Sequence, residues 1–222
     1  MLTIALDGPS GAGKSTVCDI VADRLNILHL NTGALYRAVG LYLLQNKIDA
    51  SDEKKVVESL VDIHIDINYE DKVQHVILNG KDVTNKIYSM EVSDVCSLSS
   101  AYIPVRQYIV KIQQWVANKY DCIMEGRDIT SEVLPNAKFK FYLDASADVR
   151  AIRRITDPKN QDKLTMKDYE VVKAEIEERD RRDKTRTISP LIIVKDAIYI
   201  NSDNIDANQV ADIIVAKVKG NE

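Results

Sequence analysis

Three cysteines, Cys18, Cys96 and Cys122, are all that the 222 residues hold. Their number is odd and none stands in C-x-x-C spacing, which argues against a disulfide framework and gives a zinc site no support. Buried, reduced thiols of a cytoplasmic protein are expected instead. No apolar run approaches the ~18 residues of a transmembrane helix, so no membrane partner is expected. Positive charge is not in excess: 30 Lys+Arg stand against 34 Asp+Glu, a net charge of −4. That balance argues against nucleic acid as a partner. There is no internal repeat, no low-complexity tract and no long linker. The length suffices for one full α/β core, so a single domain with an insertion and a mobile segment is expected.

The informative residues begin at position 8. Gly8-Pro9-Ser10-Gly11-Ala12-Gly13-Lys14-Ser15 matches the phosphate-binding loop G-x-x-x-x-G-K-[ST]. Such glycines let backbone N–H groups point at phosphate oxygens, the lysine reaches the β- and γ-phosphates, and the hydroxyl sits on Mg²⁺. The string arises by chance in roughly one chain in a hundred of this length, so its context decides. Residues 2–6 (LTIAL) form an apolar run of strand type, and 15–25 carry apolar residues at 17, 20, 21 and 25, a helical period. Strand, glycine loop and helix are the arrangement the motif needs, with the phosphates at a helix N-terminus. With the loop so near the start, no signal peptide is expected.

Further strands are expected at 27–30, 122–124, 139–143 and 197–200, and helices at 32–45, 52–61, 104–118, 147–155, 167–186 and up to about 218. Strands alternating with helices imply a mostly parallel sheet covered on both faces. Residues 62–68 (DIHIDIN) alternate with period 2, 73–78 (VQHVIL) are strand-like, and Asn79-Gly80 is a tight-turn dipeptide. A small antiparallel sheet is therefore expected within an insertion at 62–100. Asp157-Pro158-Lys159-Asn160 reads as a polar break.

A phosphate loop serves kinases, switch GTPases, motors and helicases alike. Asn46-Lys47-Ile48-Asp49 matches the guanine-reading N-K-x-D, but it follows an amphipathic helix only about 30 residues after the loop, and no D-x-x-G lies between. It reads as a polar, helix-ending turn. A kinase for a small phosphorylated acceptor must hold a second anion, and guanidinium forks match phosphate oxygens. Arg127 follows an expected strand at the carboxyl edge of the sheet, where open α/β sheets bind ligands. Arg37 lies one turn after Gly33. Arg179, Arg182, Asp183 and Arg186 share one helix face, and Arg150, Arg153 and Arg154 another. Residues 150–186 hold twelve Lys/Arg against nine Asp/Glu in an otherwise acidic chain, which suits a small anionic ligand.

On these residues the chain resembles the bacterial cytidylate kinase family. The segments that carry the resemblance are 5–16 (ALDGPSGAGKST), 30–37 (LNTGALYR), 78–87 (LNGKDVTNKI), 91–106 (EVSDVCSLSSAYIPVR), 124–129 (MEGRDI) and 177–186 (EERDRRDKTR). The resemblance implies a phosphate-loop kinase fold: a five-stranded parallel sheet with helices on both faces, an acceptor-binding antiparallel insertion at 62–100 and a mobile lid at 150–170. It implies transfer of the γ-phosphoryl group of ATP to CMP or dCMP, with Mg²⁺, by a monomer. ATP would lie on Gly8 to Thr16, with Arg153 and Arg154 as lid contacts. Arg37 and Arg127 would hold the acceptor phosphate. Thr32, Arg106, Asp128 and Arg186 would surround the base, and Ser97, Arg179 and Asp183 the sugar. Lys14, Arg127, Arg179 and Arg186 would neutralise the transferring group, with Mg²⁺ on Ser15 and, through water, near Glu125. The chain departs from the family pattern at Asn31, where Asp is usual, at Ser10, where Ala is common, and at Thr130-Ser131, where Gly-Thr is usual. The last removes backbone freedom just past Asp128.

The residues leave three other readings open: a kinase for another acceptor such as UMP, a nucleotide-dependent switch, and a nucleic-acid binder using the 150–186 zone. An acceptor panel separates the first, acceptor-independent hydrolysis with guanine preference the second, and steep salt dependence the third.

Overall fold

The computed structural model describes residues 1–157 and 164–220. All but the first residue of the expected break at 157–160 and the middle of the expected lid lie outside the described residues. In chain order the main elements are β1 (Thr3–Asp7), α1 (Lys14–Leu25), β2 (Leu28–Asn31), α2 (Thr32–Gln45), α3 (Glu53–Ser59), β3 (Ile65–Glu70), β4 (Val73–Leu78) and β5 (Lys81–Asp82). They continue with α4 (Met90–Ser99), α5 (Ile103–Lys119), β6 (Cys122–Gly126), β7 (Phe139–Asp144), α6 (Ala147–Thr156), α7 (Tyr169–Thr185), β8 (Ile198–Asn201) and α8 (Ala207–Lys219).

Five strands form the parallel sheet that the alternation implied, in the order β2-β6-β1-β7-β8. Ile4, Ala5, Leu6 and Asp7 of β1 are all buried, as are Phe139 to Leu143 of β7. Burial of successive residues means both faces of these strands are covered, which is why they read as continuous apolar runs. At the edge, β8 buries only Ile200. The chain lays down β2 and β6 on one side of β1, then β7 and β8 on the other. The order reverses at β1, and in open α/β sheets ligands bind beyond the carboxyl ends of strands at such a point. The residues that follow β1 there are Gly8 to Gly13.

Two compact units divide the chain. One comprises Leu2–Ile27 with Ile123–Glu222, the other Leu28–Cys122 with Met1. The core of the first joins Ile4, Leu6, Ile123, Phe141, Leu143 and Ile200 to Val17, Val21, Val210 and Ile214 of helices α1 and α8. A second cluster, Ala151, Ile155, Val172 and Ile176, packs α6 on α7. The core of the other unit gathers Leu35, Val39 and Leu43 of α2, Val76 and Leu78 of β4, and Val105 and Ile109 of α5.

In that unit β3, β4 and β5 pair antiparallel, with Ile65 opposite Leu78 and Leu78 opposite Lys81 across the Asn79-Gly80 turn. The sheet is shorter than the 62–100 texture suggested, because Met90–Ser99 is the helix α4. Ser89 caps it by accepting from the Val92 amide, and Val92 and Ser99 are its buried residues. The Asn46–Asp49 string is the helix-ending turn expected of it. Asn46 caps α2 and its Nδ2 donates to the Tyr42 carbonyl at 2.9 Å, while Asp49 accepts from Ser51. Cys18 and Cys122 are buried, Cys96 is half-buried, and no disulfide links them. No helix among the described residues is long and apolar enough to cross a membrane.

Candidate active site

The phosphate loop is shaped by a close approach. A Cβ on Gly8 would lie 2.0 Å from the Leu143 carbonyl oxygen at the end of β7, so only glycine lets the chain leave β1 there. Gly8→Ala should therefore destabilise the fold by about 3 kcal/mol or more, the range of severe steric substitutions. For a chain of this size that is a fall in Tm of roughly 6–12 °C; a scanning-calorimetry shift of under about 2 °C would refute the contact. Gly13 occupies the N-cap of α1 at φ +92°, so no side chain caps the helix, and its first turn holds no acidic residue. The amides at that end face outward with the positive end of the helix dipole, and Ser15 and Thr16 stand exposed in the same turn.

Lys14 is buried. Its ammonium donates to the carbonyls of Gly8 at 2.8 Å and Pro9 at 2.7 Å. Burial pushes its pKa down to about 7, helped by the Arg127 and Arg179 charges and opposed by Glu125 and Asp7. It is a cation held over the loop among other cations, an arrangement that an anion relieves.

Those arginines come from β6 and α7. Arg127 follows the buried strand CIMEG and donates from Nε to Asp183 at 2.9 Å. Burial raises the pKa of Asp183, yet Arg127, Arg179 and Arg186 together hold it below its ordinary value. Arg186 ends α7, donates from Nε to the Ser189 carbonyl at 2.7 Å and lies 3.8 Å from Asp183. Lys14, Arg127, Arg179, Asp183 and Arg186 are thus brought together, with Glu125 buried beside them.

Asp7 has a role that the sequence did not reveal. Fully buried at the end of β1, it accepts from the Ile129 amide at 2.9 Å and from the amide and hydroxyl of Thr130 at 2.7 and 2.6 Å. Its pKa is raised, chiefly by burial, against the pull of these three donors. They fix the π-helical turn Ile129–Val133 directly after Asp128, which is itself buried at the N-cap position of that turn. Thr130 has no positive φ. The missing glycine therefore costs the backbone nothing, and the threonine hydroxyl adds a bond that glycine lacks.

On α6 the three arginines do not share one role. Arg153 donates to the Ser202 carbonyl at 2.6 Å, the Ser202 hydroxyl at 3.1 Å and the Ala12 carbonyl of the loop at 3.3 Å. Arg154 is partly exposed, 3.4 Å from Glu175. Arg150 is buried in a clasp with Asp180, so it differs from Arg153 and Arg154 in burial and partner rather than in spacing.

In the Leu28–Cys122 unit, Thr32 is buried at the start of α2 under the Asn31 cap, whose Oδ1 accepts from the Ala34 amide at 3.2 Å. Asn31 therefore caps the helix in place of the usual Asp. One turn on, Arg37 has a buried Nε with no hydrogen-bond partner, and its guanidinium stacks 5.4 Å from the Tyr88 ring. A Cβ on Gly33 would come within 3.1 Å of Arg37 Nη1, so the glycine leaves room for that group. Arg106 of α5 is buried against the Tyr36 ring and donates to the Ser100 carbonyl at 3.0 Å. Ser97 lies half-buried on α4.

The family model for cytidylate kinase matches residues 4–220. The chain belongs to the cytidylate kinase family. A cytidylate kinase of Caldicellulosiruptor bescii is 44% identical over 209 residues, covering 94% of this chain and 92% of that protein. One from Bacillus subtilis is 40% identical over 218 residues, 98% and 96% of the two chains. Among solved structures, an uncharacterised protein from Eubacterium ventriosum shares the fold at a TM-score of 0.52 and 12% identity, over 99% of each chain. Family membership makes the protein a phosphotransferase, and the resemblance carried by the loop, T-G-A-L-Y-R, G-R-D and E-R-D segments holds from end to end.

Proposed function

We propose that the protein transfers the γ-phosphoryl group of ATP to CMP or dCMP, releasing ADP and the corresponding diphosphate. The observation that carries this is the cationic group of buried Lys14 with half-buried Arg127 and Arg179 beside the phosphate loop in a member of the cytidylate kinase family. ATP phosphates rest on the amides of Gly8 to Thr16, with Arg153 and Arg154 reaching the nucleotide. Arg37 and Arg127 hold the acceptor phosphate. In support, the buried Arg37 Nε has no partner, and a buried unsatisfied donor is costly unless a ligand meets it. Thr32, Arg106, Asp128 and Arg186 surround the base, and Ser97, Arg179 and Asp183 the sugar. The 62–100 insertion carries acceptor groups, 150–170 serves as the lid, and both belong to one kinase domain.

The acceptor phosphate oxygen attacks the γ-phosphorus in line. It is already ionised near neutral pH, so no general base is needed. Lys14, Arg127, Arg179 and Arg186 neutralise the transferring group, the dominant contribution in phosphoryl transfer. Mg²⁺ fits the donor set. It keeps phosphate and water ligands and needs few from protein; the exposed Ser15 hydroxyl at the open end of α1 would hold it, with the Glu125 carboxylate nearby. When bound it spreads the charge of the β- and γ-phosphates. The negative overall charge supports a protein that works free of nucleic acid, and we place it in the cytoplasm as a monomer.

Asp128 sets the base. Its carboxylate accepts from the cytosine N4 amino group, whereas uracil presents an acceptor there. The unpaired contact costs ~1–3 kcal/mol, roughly ten- to a hundredfold. In a coupled assay of ADP release, CMP and dCMP should exceed UMP by at least about tenfold in kcat/KM, and Asp128→Asn should narrow the gap. Equal rates with UMP would refute the base assignment.

A further inference from the structure

Asp180, the third residue of the E-R-D segment, has no part in the mechanism above, and neither does Arg150. Both are buried, at 8% and 4% exposure. The Arg150 fork closes on the Asp180 carboxylate, Nη1 to Oδ1 at 3.1 Å and Nη2 to Oδ2 at 2.6 Å. The same guanidinium donates from Nη1 to the Ser10 carbonyl at 3.1 Å and from Nε to the Ala145 carbonyl at 2.8 Å. One side chain of α6 therefore ties the phosphate loop, the end of β7 and helix α7 together.

A guanidinium so committed is not offered to a nucleotide; reaching one would break the fork. Its position has another consequence. Asp180 lies between Arg179 and, three residues on, Asp183, which Arg127 holds at 2.9 Å. Residues three apart face the same side of a helix. Two ties one turn apart on that side set both the height and the rotation of α7, and Arg179 directly precedes the first of them, four residues before the second. The charge of Arg179 is already felt by Lys14 over the loop. We propose that Arg150 and Asp180 are a positioning pair that registers α7 on the phosphate loop, so that Arg179 meets the transferring phosphoryl group. The inference rests on the kinase reading and on the role given there to Arg179. A lysine keeps the charge of Arg150 but not the planar fork that spans carboxylate and carbonyl at once.

A double-mutant cycle on kcat tests this. Asp180→Asn should lower kcat at least ~10-fold, because misplacing a catalytic group by an ångström is that costly. Affinity for a non-hydrolysable ATP analogue, measured by calorimetry, should change less than about 3-fold, since the loop contacts to nucleotide remain. Arg150→Lys should behave alike. In an Arg179→Ala background, Asp180→Asn should cost less than about 2-fold, because residues acting as a unit are non-additive. Unchanged kcat in Asp180→Asn, or losses that multiply, overturns the inference, as does a matching loss of analogue affinity. If Asp180→Asn does not fold, the neutral pair Arg150→Gln with Asp180→Asn replaces it under the same criteria. Full kcat in Arg179→Ala alone removes the role given to Arg179 and this inference with it. A slow Arg179→Ala enzyme with multiplying losses removes the inference only.

Discussion

Lys14→Ala is expected to lower kcat by roughly two to three orders of magnitude while the protein stays folded. Removing one preorganised charge from a phosphoryl-transfer site costs on the order of 3–4 kcal/mol, and ~1.4 kcal/mol is tenfold in rate. Folding should survive because Lys14 is a poor stabiliser. Its ammonium is buried with two carbonyls for partners and two arginines nearby, and its pKa falls to about 7. A lysine whose folded pKa lies below its unfolded value binds fewer protons in the native state. Between about pH 7 and the ordinary lysine value the unfolded chain holds the extra proton, so this group's contribution to stability rises with pH and is least favourable below pH 7. Lys14→Met should accordingly raise Tm more at pH 6 than at pH 9. Wild-type kcat in Lys14→Ala would remove the lysine from the chemistry.

The same shift predicts a proton balance. Triphosphate brings negative charge to Lys14 and restores its proton, so ATP binding at pH 8 should take up a fraction of a proton. Calorimetry in two buffers of different ionisation enthalpy measures it. Uptake should vanish in Lys14→Ala, and identical heats in both buffers for the wild type would show that Lys14 stays protonated throughout.

What the sequence made legible was local. The loop and its flanking strand and helix could be read because the motif and both periodicities lie within 25 residues. The arginines at 37, 106, 127, 179 and 186 were legible as a set through the family resemblance. Their partners were not, because partnership is a tertiary fact. Asp7 adjoins the loop, but nothing in the pattern joins it to Thr130, 123 residues on. Arg150, Arg153 and Arg154 share helical spacing, yet the packing of α6 on α7 buries the first and leaves the other two partly open. Helix α4 was hidden by the alternation before it. Its signals, the Ser89 cap and the apolar spacing Val92, Val95 and Cys96, were present but short.

Arg127→Ala should act on the acceptor and leave the donor almost untouched. Arg127 is bonded to Asp183 and follows β6, whereas the nucleotide phosphates are assigned to residues 8–16. Loss of a bidentate phosphate contact that tightens during transfer should lower kcat/KM for CMP by about a hundred- to a thousandfold. The Kd for an ATP analogue should move less than about 3-fold if the arginine serves only the acceptor and the transferring group. Arg127→Lys should recover only part of the loss, because a point charge does not reproduce the fork. The substitution also has a signature away from catalysis. Asp183 is largely covered, and its pKa stays below the ordinary carboxylate value because Arg127, Arg179 and Arg186 outweigh desolvation. Such a group stabilises the fold above its unfolded pKa, and the contribution is lost as pH falls through the folded one. Without Arg127 the cost of burying the carboxylate weighs more, the folded pKa climbs, and acid unfolding should begin at higher pH. An unchanged acid limb with normal CMP kinetics would take Arg127 out of both roles. A change in ATP affinity alone would move it from the acceptor to the donor.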